Sequence, residues 1–199
     1  MYCLLGILFS SCASQSLEKN VVNDFIKEQA EMKYYYNIVV EKAPSRMLAL
    51  DYYEKAYQDR NINLSSHLVR IAPNGNAPYL WPIDSLEIIN LKQKYAQETS
   101  VHLWKKKDFV RENFANKHFI ILKSKDHFLI NSSRFRKYAA GEGLMISKPL
   151  ISDNGYALFF YSPYSITGHT GESPKTILMQ NTNGKWKTIL SYSDPNVIN

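Results

Sequence analysis

Apolar positions recur at helical spacing in the first half of the chain and at strand spacing in the second half. Between Leu17 and Ala30 they stand three or four residues apart, which places them on one face of an amphipathic helix. This face consists of Leu17, Val21, Val22, Phe25 and Ile26. Ser14 or Ser16 supplies a hydroxyl that can cap the helix. We therefore predict a first helix that packs against the rest of the fold.

Two further helices are predicted before the strand-like half. Pro44-Ser45 favours a helix start, and the apolar spacing extends that helix through Tyr57. Its predicted inner residues are Met47, Leu48, Tyr52 and Ala56. Asp84 and Glu87 stand three apart before an apolar run, a capping-box pattern that predicts a third helix over residues 85–97. The predicted inner face of this third helix is Leu86, Ile89 and Tyr95.

From His118 onward the period changes to two, which is typical of strands with one buried face. The predicted strands are His118 to Lys123, Phe128 to Ser132, Leu144 to Ile151, Tyr156 to Ser162, Thr176 to Thr182 and Lys185 to Tyr192, after an earlier one at Asn37 to Glu41. Asn183-Gly184 between two such runs predicts a tight hairpin. Helices first and strands later predict an α+β fold, with N-terminal helices packed on a C-terminal antiparallel β-meander.

The amino terminus carries a targeting pattern. Met1 to Ser11 are apolar and uncharged, and the run ends in small residues directly before Cys12. It fits the apolar region of a signal peptide and is shorter than the about twenty residues that span a bilayer. Leu8-Phe9-Ser10-Ser11-Cys12 resembles the lipobox of bacterial lipoproteins, which implies that Cys12 is diacylated and becomes the first mature residue. The alternative is a buried amino-terminal strand or helix.

This resemblance divides the chain into a signal-peptide remnant at 1–11, a lipidated cysteine with its tether at 12–16, and a single α+β domain at 17–199. It implies a bacterial cell-envelope protein, anchored by lipid to a membrane outside the cytoplasm, periplasmic or at the outer membrane. Both cysteines lie in the leader, and the five histidines are scattered along the chain. We therefore expect neither a metal site nor a cofactor.

Composition and charge limit the class of protein to which this chain can belong. A chain of 199 residues, 45% hydrophobic and 21% charged, suits one globular domain and excludes a disordered chain. The formal net charge is +6, and the segment Lys105 to Lys137 holds ten basic residues against three acidic ones. Such a segment is either a solvated basic face or an attractor of anionic lipid, polysaccharide or nucleic acid. Export disfavours nucleic acid as the partner.

The richest cluster of chemically active side chains lies between Tyr161 and Ser173, where a loop joins two predicted strands. His169 can act as a base on Ser165 or Ser173, with Glu172 as its orienting carboxylate, which would be a hydrolase-like set. The binding alternative uses Tyr161, Tyr164, Thr167 and His169, with Trp186 completing an aromatic platform. The simplest interpretation is the ordinary composition of an exposed loop.

The last quarter of the chain carries a second resemblance. Residues 146–158 read Ile-Ser-Lys-Pro-Leu-Ile-Ser-Asp-Asn-Gly-Tyr-Ala-Leu, and Gly184-Lys185-Trp186 follow later. This pattern is similar to the carboxy-terminal part of small bacterial lipoproteins to which no activity is assigned. We therefore expect a non-enzymatic exported lipoprotein that binds an envelope protein or a glycan. The alternative is a cell-envelope hydrolase that uses His169 and Glu172 with Ser165 or Ser173.

Overall fold

The computed structural model describes residues 5–61, 69–71, 81–98, 100–124, 126, 142–165 and 173–193. Three α-helices are present in these ranges: α1 Leu5–Glu31, α2 Met47–Gln58 and α3 Ser85–Tyr95. The strands are β1 Tyr36–Val40, β2 Val69–Ile71, β3 Ile120–Leu122, β4 Glu142–Ile146, β5 Leu150–Ile151, β6 Tyr156–Tyr164, β7 Lys175–Thr182 and β8 Lys185–Ser193. The predicted α+β class is confirmed. None of the described helices is long and apolar enough to cross a membrane.

The strands form one mixed sheet in the order β2-β8-β7-β6-β4-β1-β3, and β5 pairs with β6. Strands β6, β7 and β8 form an antiparallel meander, and β4 joins β6 antiparallel. The predicted C-terminal antiparallel meander is therefore present in β6, β7 and β8, but the sheet as a whole is mixed, because β1 pairs parallel with both β3 and β4. Parallel pairing requires a crossover, and the chain supplies one when it passes through α2 and α3 before returning as β3.

The two faces of the sheet are covered by different helices. On β6, Ala157, Phe159 and Tyr161 belong to the buried cluster that includes α1, whereas Leu158 and Phe160 belong to the cluster that includes α2 and α3. This alternation follows from the two-residue period of a strand. The predicted inner face of α1 is confirmed at Val21, Val22, Phe25 and Ile26 and is wrong at Leu17, which is 38% exposed. The fold therefore has one hydrophobic core on each side of the sheet.

The inner faces predicted for α2 and α3 are partly wrong. In α2 the buried residues are Ala49, Leu50, Tyr53 and Ala56, of which only Ala56 was expected. In α3, Ile88 and Leu91 are buried, while Leu86 is 65% and Ile89 50% exposed. The apolar residues of α3 cover more than one face, so helical spacing alone does not determine which face meets the sheet. Packing of α3 against β5 and α2 determines which of its faces is buried.

The turn between β7 and β8 matches its prediction. Asn183 has φ 54° and Gly184 has φ 81°, and a two-residue hairpin turn with both φ values positive favours Asn-Gly. Trp186, one residue into β8, is 3% exposed in the core beneath α1. The predicted hairpin is confirmed, and Trp186 is a core residue.

Carboxylates of α1 cover part of the β8 edge. The Trp186 N–H donates to the Asp24 carboxylate at 2.9 Å, and the Thr188 N–H and hydroxyl donate to Glu28 at 3.1 and 2.6 Å. Four helical residues rise about 6 Å and two strand residues about 6.6 Å, so the two spacings match. Helix α1 therefore satisfies strand donors that would otherwise be open to another strand.

Helix α1 is longer than the predicted range of Leu17 to Ala30, so Ser14 and Ser16 lie inside it and neither caps its start. Helix α1 begins at Leu5 and continues through Cys12 and the residues predicted to form the tether. The processing of this segment, and with it the division into leader, tether and domain, stays a prediction. The strand predicted from Phe128 to Ser132 lies outside the described residues.

Candidate ligand-binding cleft

A cleft beside α1 is built on an extended segment around His102. The N–H of Ala43 donates to the His102 carbonyl at 3.0 Å, and the N–H of Trp104 donates to the Glu41 carbonyl at 2.8 Å. Successive side chains of such a segment point to opposite sides. Trp104 is therefore 2% exposed and its indole N–H donates to the Ile146 carbonyl at 2.8 Å, whereas Leu103 is 47% exposed. Backbone pairing thus fixes the position of the segment that carries His102.

Four charged side chains from four parts of the chain form the wall of this cleft. Arg46 donates to Glu98 through two nitrogens, Nε to Oε2 at 2.9 Å and Nη2 to Oε1 at 3.0 Å. The same guanidinium donates to Glu18 Oε1 at 3.0 Å and to the Pro149 carbonyl at 2.7 Å. Lys148 Nζ lies 3.1 Å from Glu18 and 2.9 Å from Glu98. Two cations and two carboxylates therefore alternate in one network.

The network joins elements that are far apart in sequence. Glu18 lies on α1, Arg46 directly precedes α2, Glu98 follows α3 and Lys148 lies between β4 and β5. Arg46 and Glu18 are buried, and the Arg46 guanidinium also lies 4.6 Å from the centre of the Tyr95 ring. Bidentate arginine–carboxylate pairs require a defined relative geometry of the two side chains. The network therefore fixes the helices of both layers relative to one another at the cleft.

The charges of the network change the acidity of Glu98. Burial would raise the pKa of Glu98, but the hydrogen bond from Lys148 and the charges of Arg46 and Lys148 outweigh it and hold the pKa below its usual value. Glu98 is therefore ionised at neutral pH and is a weak base.

His102 lies at the centre of the cleft in an unusual environment. Its ring meets the Trp104 ring edge-on at 4.5 Å, and its buried Nε2 has no hydrogen-bond partner among the described residues. Burial first, and then the positive charge of Lys148, lower the pKa of His102, while the carboxylates of Asp108 and Glu18 act in the opposite direction. The imidazole is therefore neutral at pH 7.

The cleft consists of two adjoining cavities of about 490 and 220 Å³. Both are lined by the same five residues, which are Glu98, Ser100, Val101, His102 and Lys148. The larger cavity extends along α1 past Gln15 and Lys19 towards Lys107, and the smaller one extends past Lys42 to Arg46. Cavities of this size hold small ligands or one part of a larger one.

The walls of the two cavities carry an excess of positive charge. Six basic side chains face three acidic ones, a formal net charge of +3 with His102 neutral. The three carboxylates are already engaged, since Glu18 and Glu98 belong to the network and Asp108 pairs with Lys19 at 2.9 Å. Lys42, Lys105 and Lys107 are exposed and have no ion-pair partner among the described residues. The arrangement can therefore attract and hold an anion.

The loop residues predicted from sequence are only partly described. Ser165 follows β6 and Ser173 precedes β7, and both are half-buried. Thr167, His169 and Glu172 lie outside the described residues. The hydrolase-like set and the roles of Thr167 and His169 in binding therefore stay predictions.

Tyr161 and Tyr164 lie on opposite faces of β6. Tyr161 is buried under α1, where its hydroxyl lies 2.9 Å from the Tyr36 hydroxyl, while Tyr164 packs on Ile38 and Leu122. Side chains three positions apart in a strand point to opposite faces of the sheet. Burial raises the pKa of Tyr164. These two tyrosines therefore do not share one aromatic surface.

Tyr161 and Trp186 share the α1 face but lie at different ends of it. Tyr161 is opposite Lys175 and Trp186 is opposite Asn181, six residues further along β7. This corresponds to about 20 Å along the sheet. The two side chains are therefore too far apart to stack on one sugar ring.

A separate groove of about 390 Å³ lies over Tyr161, between the end of α1 and strands β7 and β8. Its floor includes Phe25 and Ile177, and its rim includes Glu28 and Lys175. Glu28 is already engaged with Thr188, as described above, and Lys175 lies 5.6 Å from the Tyr161 ring. The polar side chains at the rim of this groove are thus engaged in contacts within the fold. The groove is therefore a weaker candidate for a binding site than the cleft around His102.

Sequence reasoning did not identify the cleft around His102. Its charged residues are spread over 131 positions, from Glu18 to Lys148, and follow no periodic pattern. One local signal existed, since exposed Val101 and Leu103 alternate with His102 and Trp104 as in a strand. The basic segment that begins at Lys105 was recognised, and its first residues line the cleft.

Within the described ranges, no group of three or more histidine, cysteine, aspartate or glutamate side chains is arranged to hold a metal ion. No protein-family model, curated protein or solved structure matches the chain. The functional assignment therefore depends on the geometry and charge of the cleft.

Proposed function

We propose that this chain is an exported, lipid-anchored envelope protein that binds an anionic ligand in the cleft around His102 without converting it. The observation that carries the proposal is a set of three lysines that line the cavities, Lys42, Lys105 and Lys107, while the carboxylates of the same cavities are already paired with other cations. Phosphate and carboxylate groups are the complementary chemistry, as in an acidic glycan or an acidic segment of an envelope protein.

Binding suits the cleft better than acid–base catalysis does. A general base works best with a pKa near the working pH, and the pKa of Glu98 is lowered away from it. Glu18 and Asp108 are also held by cations at 3.0 and 2.9 Å. The export and anchoring parts of the proposal are supported by the lipobox-like Leu8-Phe9-Ser10-Ser11-Cys12 and by the carboxy-terminal resemblance to small bacterial lipoproteins.

The test is a calorimetric titration of the protein with glycerol phosphate and with a short uronic-acid oligosaccharide. We expect saturable binding of at least one of them, weakened by added salt. Replacing both Lys105 and Lys107 with alanine should lower the affinity about ten-fold. The matched control replaces Lys185 and Lys187 on β8, which are exposed, equally spaced and outside the cleft. Absence of binding to both probes, or equal losses in the two double variants, would contradict the proposal.

A further inference from the structure

Helix α1 carries both the predicted lipidation site and one wall of the basic cleft. Cys12 lies on this helix, and Gln15 and Lys19 on the same helix line the larger cavity. At a rise of about 1.5 Å per residue, Gln15 is about 5 Å and Lys19 about 10 Å from Cys12 along the helix axis. A membrane that holds acyl chains on Cys12 therefore lies close to this cavity.

The turn that carries Lys105 and Lys107 contacts the same helix. Asp108 pairs with Lys19 at 2.9 Å, and the Asn23 side chain donates to the Asp108 carbonyl at 2.9 Å and accepts from the Val110 N–H at 2.7 Å. The turn that carries Lys105 and Lys107 is thereby held against α1. Its distance from Cys12 is set by packing and not by a loose linker.

The rim of the cleft combines charge with exposed apolar side chains. Val101 is 59% and Leu103 47% exposed, and both line the larger cavity beside Lys105 and Lys107. Basic residues attract anionic headgroups over about a Debye length of 8 Å, and neighbouring apolar side chains enter the boundary between headgroups and acyl chains. A soluble polyanion would use the lysines but would gain nothing from Val101 and Leu103.

We infer that the cleft faces the membrane to which Cys12 is attached and binds the phosphate headgroup of an anionic phospholipid in that membrane. The inference rests on the proposed function, because it needs both the lipid anchor and the anion-binding cleft. Among the anions with phosphate or carboxylate groups, it selects a phospholipid headgroup over a glycan or a protein segment as the ligand of this site. It also orients the protein on the bilayer, with the α1 amino terminus and the Lys105 to Lys107 turn towards the lipid.

The test uses the full chain with Cys12→Ser, which removes the acylation site, and sedimentation with two kinds of vesicle. Vesicles of phosphatidylcholine alone measure any attraction due to the apolar residues 1–11. Vesicles that also contain phosphatidylglycerol measure the headgroup contribution. We expect binding to the second kind well above the first, and an about 30-fold loss when Lys105 and Lys107 are replaced by alanine. The Lys185→Ala, Lys187→Ala control should lose much less.

A second pair of variants separates a lipid surface from a soluble anion. Val101→Ser with Leu103→Ser should weaken vesicle binding and leave the titration with glycerol phosphate or the oligosaccharide unchanged. Equal binding to both kinds of vesicle, or equal losses in the two lysine pairs, would overturn the inference. Binding of soluble anions without binding of vesicles would overturn it and leave the proposed anion site intact. Mass spectrometry of native protein from the membrane fraction that shows an unmodified Cys12 would also overturn it.

Discussion

The Arg46 guanidinium donates to the Glu18 carboxylate at 3.0 Å, and both side chains are buried where α1 meets the start of α2. Glu98 and Lys148 complete the network around this pair. Buried ion pairs of this kind contribute little to net stability compared with well-packed apolar groups, but the removal of one partner leaves an unpaired charge. Arg46 therefore holds the cleft together in a way that a surface pair cannot.

Replacing Arg46 with methionine should lower the free energy of unfolding by about 3 kcal/mol, because Glu18 and Glu98 would share only Lys148. Urea denaturation measures the change. The matched control is Lys92→Met, which breaks the partly exposed pair with Glu54 at 2.6 Å and should cost less than about 1 kcal/mol. An equal decrease in the free energy of unfolding in the two variants would show that the buried network contributes no more to stability than an exposed ion pair does.

The lowered pKa of His102 makes stability depend on pH. The unfolded chain binds a proton at this residue more readily than the folded protein does, so protonation favours unfolding. The contribution is complete above the unfolded pKa of about 6.5 and is lost as the pH falls from there through the folded pKa. Urea denaturation at pH 7.5 and 5.5 should show this loss in the original protein and a smaller one in His102→Gln. The exposed His118→Gln serves as the control, and an unchanged pH dependence in His102→Gln would contradict the account.

The contact between Glu28 and Thr188 predicts a local effect on the sheet edge. Glu28→Ala removes the acceptor of both the Thr188 N–H and its hydroxyl and should cost about 1–2 kcal/mol. Amide hydrogen exchange at Thr188 should accelerate, while exchange at Leu178 in the centre of β7 should change only as much as global stability does. Glu31→Ala is the control, because Glu31 is exposed and its pairing with Lys27 is 3.9 Å long. The same exchange rate at Thr188 in the two variants would show that Glu28 does not protect the edge.

The hydrolase alternative has its own test, because His169 would be its general base. We expect no His169-dependent turnover of chromogenic ester, amide or glycoside substrates, and unchanged anion binding in His169→Ala. A turnover that falls about a hundred-fold or more in His169→Ala would support the hydrolase and contradict a non-converting binder. Ser165→Ala and Ser173→Ala would then identify the nucleophile.

Local features of this fold could be predicted from the sequence, and long-range ones could not. The Asn183-Gly184 turn and the Val21 to Ile26 face of α1 depend on backbone preference and short-range periodicity, and both are confirmed. The parallel pairing of β1 with β3 and β4 depends on crossovers that no local pattern encodes. The burial of Ile88 in place of Ile89 depends on the neighbours of α3.

The candidate site was missed for the same reason. Arg46, Glu98 and Lys148 become neighbours only after both helical layers close on the sheet, and each looks like an ordinary surface charge in the sequence. The loop near His169 was predicted as the candidate site because its hydroxyl groups and its imidazole are close together in the sequence. The basic segment from Lys105 was predicted from its charge, and its first residues line the cleft, but the sequence did not indicate which residues would surround them.

The measurement that tests the central claim most directly is the indole N–H spectrum of the three tryptophans during titration with an anionic probe. Trp104 lines the larger cavity and lies 4.5 Å from the His102 ring, whereas Trp186 is buried beneath α1 outside that cavity. If the cleft binds anions, the Trp104 signal should shift saturably with glycerol phosphate while the Trp186 signal stays in place. A constant Trp104 signal, or equal shifts of both, would contradict an anion site at His102.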